Sequence, residues 1–156
     1  MSESTGRPDY DIEHAQVLAA PPAKVFAAFT DPDAFARWYG PDGVRTPRED
    51  VVIDAREGGT HRFTMVVDLD PPLRTTYDGR FTEVVPDRLL ASSGAWEGIP
   101  GQDVPWPSNL RVELEPQPEG TLVVVREGPH PAGSVELGRE SWRTMFPRLE
   151  RVVTGS

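Results

Sequence analysis

The sequence predicts an α+β fold in which a curved antiparallel sheet of six to seven strands wraps around one long C-terminal helix. Three observations carry this reading. From Val51 to Glu127 apolar residues recur with the two-residue period of half-buried strands. The segments between these runs are short and rich in Gly, Pro and Asp, which suits hairpins. Beyond Gly133 the period becomes helical, and a sheet with one dry face and a helix with one apolar stripe cover each other by docking.

The elements follow in order. Residues 12–19 form a short apolar run that Pro21-Pro22 ends. A helix starts at those prolines, where a missing N–H costs nothing, with Val25, Phe26 and Phe29 on one face. Asp31 can cap a second short helix with Phe35 and Trp38 inside, stopped by Gly40-Pro41. Strands are expected at 44–55, 60–69, 74–84, 88–96, 109–116 and 121–127. The clearest places His61, Phe63, Met65, Val67 and Leu69 on the dry face, against Thr60, Arg62, Thr64, Val66 and Asp68. After the loop from Gly128 to Gly133, Val135, Trp142, Phe146, Leu149 and Val153 trace the stripe of the final helix. Ser134 is a candidate N-cap, and Arg148 and Arg151 complement the helix dipole.

Composition removes several function classes. A chain of 156 residues, 37% hydrophobic, suits one core, here a domain over residues 10–156 behind a flexible polar tail at 1–9. Asp and Glu number 25 against 16 Lys and Arg, a net charge of -9, which is the wrong sign for neutralising nucleic-acid phosphates or an anionic membrane. With no cysteine there can be no disulfide, thiolate nucleophile or cysteine-based metal site. No stretch has the length and apolarity of a signal-peptide core or membrane span, so a cytoplasmic protein, monomeric or weakly dimeric, is expected. Lys24 is the only lysine, a bias read as coding composition.

The order of elements resembles the helix-grip fold of the START-like superfamily, which includes the birch-pollen allergen family. The run from Ala20 to Pro32 followed by Trp38-Tyr39-Gly40-Pro41 looks like the opening of the domain found in activators of the ninety-kilodalton heat-shock-protein ATPase. Later landmarks keep the family's order: Gly58-Gly59 before Arg62-Phe63 and Met65, Gly79 with Phe81 and Glu83, Pro86-Asp87-Arg88-Leu89, Trp96, Gly120-Thr121 and Trp142. The likeness spans residues 10 to 153. Two positions depart from it: His61 stands where an aromatic residue is usual, and the expected loop from Glu97 to Ser108 carries Pro105-Trp106-Pro107. The co-chaperone activity of the eukaryotic namesakes needs a further N-terminal domain, which nothing before Asp9 could supply, so the family name does not carry over as a function.

A sheet curled around a helix often leaves unfilled space, and such space is a ligand site. The candidate lining residues are Trp38, His61, Phe63, Met65, Tyr77, Phe81, Trp96, Trp106, Trp142 and Phe146. Trp38, Tyr77, Phe81, Trp96, Trp142 and Phe146 are each explained most simply by core packing. His61 can accept a proton or hold a polar ligand group, or be a core histidine satisfied by neighbours or by water at the nearby sheet edge. Trp106, stiffened by two prolines, can close over a cavity mouth or fold onto the sheet. Glu83 shares parity with Tyr77 and Phe81 but suits a solvent-facing strand end. Asp68-Leu69-Asp70 reads as a plain turn, the three histidines lack metal-like spacing, and no nucleophile elbow, phosphate loop or His-Glu-x-x-His occurs, so no cofactor and no metal are expected. The expected function is binding of a small hydrophobic or amphipathic ligand between sheet and helix. The alternatives are a cyclase- or hydratase-like enzyme using His61 with Tyr77 or Glu83, and a domain that binds a chaperone.

Overall fold

A computed structural model describes residues 10–155; the tail expected at residues 1–9 lies outside them. The chain runs β1 (Ile12–Leu18), α1 (Pro22–Thr30), α2 (Pro32–Trp38), β2 (Val44–Arg45), a 3-10 turn (Arg48–Asp50), β3 (Val52–Ile53), β4 (Thr60–Val67), β5 (Leu73–Val85), β6 (Leu89–Glu97), β7 (Trp106–Gln117), β8 (Gly120–Gly128) and α3 (Val135–Thr154). The sheet is antiparallel in the order β1-β8-β7-β6-β5-β4-β2, with β3 also on β4. This is the helix-grip α+β fold.

The strands present one face to α3. Phe63, Tyr77, Phe81, Leu90, Val112, Leu114, Val123 and Val125 are buried together with Trp142, Met145, Phe146, Leu149 and Val153 of that helix. At the middle of the sheet Gly79 and Gly94 pair directly across β5 and β6. A Cβ on Gly94 would meet the Asp78 carbonyl at 2.4 Å and Gly79 Cα at 2.5 Å, so the two backbones approach as only glycines allow.

Helices α1 and α2 close one end. Trp38 donates its indole N–H to the Ala28 carbonyl at 2.8 Å and locks the pair together. The turn after α2 is clamped to α3: Gly40 N–H meets Met145 Sδ at 3.1 Å, and Arg148 Nη1 donates to the Gly40 carbonyl at 2.6 Å. Gly40 has φ of 130°, and a Cβ there would lie 2.7 Å from the Val44 carbonyl oxygen. This clamp sets the position of Tyr39.

Four expectations need correction. The single strand at 44–55 is two pairs of residues around a 3-10 turn, because Pro47 lacks the N–H that a continuous ladder needs. The 3-10 turn packs on β4, and Val66, expected to be wet, is fully buried. The strand expected from 109 starts at Trp106, so Trp106 and Pro107 are paired with Trp96 and Ala95 and are not loop residues. Ser134 occupies the N-cap position of α3 but makes no side-chain capping bond. Asp31 does cap α2, accepting from Asp33 N–H at 3.3 Å.

Candidate functional site

The interior divides into a packed aromatic region and an open one. In the packed region Phe35 stacks on Tyr39 at 4.6 Å, Phe63 lies 5.0 Å from Phe35 and 5.5 Å from Tyr77, and His61 stacks on Phe81 at 4.5 Å. Ser92 Oγ lies 2.9 Å from His61 Nδ1 and 2.8 Å from the Tyr77 hydroxyl, so the three polar groups satisfy one another. β3 pairs Ile53 with His61 and covers the edge where water was expected. Burial drives the His61 pKa down to about 3, and the imidazole is neutral. The space beside it measures about 10 Å³, the size of a single water.

The open region is a cavity of about 200 Å³ between α3, β6, β7 and the loop after β8. Trp96 and Trp106, cross-strand partners, form one wall, and Trp142 of α3 forms another. Trp106 donates its indole N–H to the Pro129 carbonyl at 2.9 Å, which ties the ring to that loop. Ile99, Leu137 and Met65 add apolar surface, and Leu137 is 70% exposed at the rim. Tyr39, Trp96, Ser108 and Glu127 also border an adjoining void of about 10 Å³ against Phe63 and Tyr77.

A polar cluster sits in this apolar wall. Glu127 is 8% exposed and accepts the Trp142 indole N–H on Oε1 at 2.8 Å. His130 Nε2 lies 3.5 Å from the same oxygen, and His130 Nδ1 lies 2.7 Å from Asp11 Oδ1. Asp11 Oδ2 accepts the His130 backbone N–H at 2.7 Å. Burial opposes a charge on His130, but the Glu127 and Asp11 carboxylates outweigh it and raise its pKa. Gly138 makes the arrangement possible, since a Cβ there would lie 2.3 Å from Ile12 Cδ1 and 2.9 Å from His130 Nε2. A helix-interior glycine costs about 1 kcal/mol relative to alanine, and the close approach of His130 explains why one stands here. Beside the cluster Tyr39 is 5% exposed, and its hydroxyl makes no hydrogen bond among the described residues. Burial, with Glu127 and Tyr77 nearby, holds that phenol un-ionised well above its ordinary range.

Of the ten residues predicted from the sequence, Met65, Trp96, Trp106 and Trp142 line the open cavity. His61 and Phe81 border only the 10 Å³ space beside His61; Phe63 borders that space and the adjoining void, and Tyr77 the adjoining void alone. Trp38 and Phe146 are core residues, Phe146 lying 4.2 Å from the His14 ring. Glu83 is solvent-facing and reaches Arg111 at 3.5 Å, because a bulge after Phe81 breaks the parity it would share with Tyr77 and Phe81. Asp68 holds Arg45 at 2.9 Å. Sequence reasoning missed Tyr39, Ser108, Glu127 and His130 as lining residues. Glu127 had a readable signal, since it continues the inward parity of Val123 and Val125. His130 and Asp11 lie outside any periodic run and had none.

The model of the family described as Activator of Hsp90 ATPase homolog 1-like protein matches residues 19–154. No curated protein matches the chain. Among solved structures, a Chromobacterium violaceum protein is 25% identical with a TM-score of 0.78, over 91% of this chain and 96% of that one. The AHSA1 protein from Silicibacter pomeroyi is 20% identical, TM-score 0.75, over 92% and 96%. DynU16, a protein from the dynemicin biosynthetic locus, is 21% identical, TM-score 0.66, over 94% of this chain and 48% of that one. The last two show the fold alone.

Proposed function

Because the chain belongs to the Activator of Hsp90 ATPase homolog 1-like protein family, within a fold family where ligand binding is common, we propose that it binds a small, largely apolar ligand between α3 and the sheet. One observation carries this reading: an apolar cavity of about 200 Å³ is lined by three of the chain's four tryptophans, whereas the space beside His61 measures only about 10 Å³. Binding is burial against Trp96, Trp106 and Trp142, with Tyr39, Glu127 and His130 as polar anchors. His61 is a packing residue in this reading, as the space beside it admits no ligand.

The volume accepts on the order of ten non-hydrogen atoms. At roughly 0.5 kcal/mol per atom, such a ligand binds with a Kd on the order of 10⁻⁴ M. The test is a titration with small aromatic and short lipid-like compounds, followed by tryptophan fluorescence and amide NMR. A saturable emission change is expected, with amide shifts concentrated at Trp96, Ser108, Glu127 and Leu137. Trp106→Ala is expected to weaken binding about fivefold or more while leaving the fold intact, since it removes one wall and the tie to Pro129. If no compound of this size gives a saturable response, the reading fails.

A further inference from the structure

Resting on that reading, we propose that the ligand's polar end is an ammonium group, held by Glu127 and Tyr39 inside a box of aromatic rings. The charge balance of the wall, counted with Asp11 that backs His130 from outside the lining, points this way. Two carboxylates, Asp11 and Glu127, face a single imidazole, His130, and the cluster stays net negative even with His130 protonated. Glu127 is more than nine-tenths buried and uses Oε1 for both Trp142 and His130, whereas Oε2 makes no hydrogen bond among the described residues. Glu127 lines both the cavity and its adjoining void.

The other unassigned polar group agrees. Tyr39 is 5% exposed, lines the same two spaces and has no hydrogen-bond partner among the described residues. Its hydroxyl oxygen can accept from an N–H, as can Ser108 Oγ, also on both linings. A ligand carboxylate would gain donors from these hydroxyls but would face Glu127. Aromatic faces favour a cation, and Tyr39, Trp96, Trp106 and Trp142 surround the space. The amide end of α3 lies at the rim, where it would favour an anion, but its first turn carries Glu136. Size restricts the class to a primary amine on a short apolar or aromatic body, on the order of ten non-hydrogen atoms in all.

The experiment compares three probes of one shape: phenethylamine, phenethyl alcohol and phenylacetate, each titrated into the full-length protein at pH 7 by calorimetry and tryptophan fluorescence. Phenethylamine is expected to bind about tenfold or more tightly than the alcohol, and phenylacetate weakest. Glu127→Gln, which keeps an acceptor for Trp142, is expected to remove most of the amine's advantage and leave alcohol binding within about twofold. Tyr39→Phe, which keeps the ring, is expected to weaken the amine severalfold. Equal or better binding of the alcohol or phenylacetate overturns the ammonium assignment while leaving ligand binding in place. Failure of all three probes overturns both. An amine advantage that survives Glu127→Gln overturns the role given to Glu127.

Discussion

Two histidines of this protein, His61 buried and His130 half-buried, respond to pH in opposite ways. His61 has no charged partner, and burial lowers its pKa from 6.5 to about 3. Between those values the unfolded chain takes up a proton that the native protein refuses, so stability falls as pH drops through that interval. His61→Phe removes the effect and keeps the stack on Phe81. In urea unfolding the variant's stability relative to wild type is expected to improve by roughly 2 to 3 kcal/mol from pH 7 to pH 4.5. An unchanged difference would mean that water reaches the ring.

His130 titrates the other way. Burial works against its charge, but the carboxylates of Glu127 and Asp11 hold its pKa above 6.5. Its stabilising contribution is therefore complete below pH 6.5 and is lost as pH rises through the raised native value. Asp11 sets the lower limit. Burial raises its pKa, yet bonds from the His130 backbone and ring leave it below 3.8. Its contribution is present above that value and fades as pH falls through the lowered one. The stability that wild type holds over His130→Asn, measured by thermal unfolding, is expected to be larger at pH 6 than at pH 9. A gap independent of pH would show that His130 acts only by packing.

The decisive feature of the sheet as an element is the glycine pair at Gly79 and Gly94. An added methyl at Gly94 meets backbone atoms at 2.4 and 2.5 Å, and backbone cannot swing aside as a side chain can. Gly94→Ala is expected to cost roughly 2 to 3 kcal/mol in denaturant unfolding, with an unchanged far-ultraviolet spectrum. A cost below about 0.5 kcal/mol would mean that β5 and β6 can separate there. Strands and helices were otherwise legible, because the periods of Thr60–Val67 and of Val135–Thr154 are local properties. Two strand bounds were misread where a proline carried two meanings. Pro47 broke an expected strand at 44–55, whereas Pro107 sits inside a strand that was expected to start only at 109.

For the whole molecule, the sequence by itself determined the fold class, the order of the main elements and the dry face of the regular strand stretches, since these follow from spacing along the chain. It misjudged the end of β4, where Thr64 and Val66 are buried and Leu69 is exposed. It also supplied four of the residues that line the open cavity: Met65, Trp96, Trp106 and Trp142. Only the tertiary structure decided where space remains. His61 and Trp106 both presented as candidates, yet β3 and Phe81 closed the room beside His61, while the loop holding Pro129 and His130 left it open beside Trp106. A cavity is the mismatch between two surfaces, and the sheet's curl together with the seat of α3 sets that mismatch through contacts such as Gly40 on Met145 and Gly138 on His130. Asp11, Glu127 and His130 meet for the same reason, because the pairing of β1 with β8 brings Asp11, next to the first residue of β1, beside the loop that follows β8.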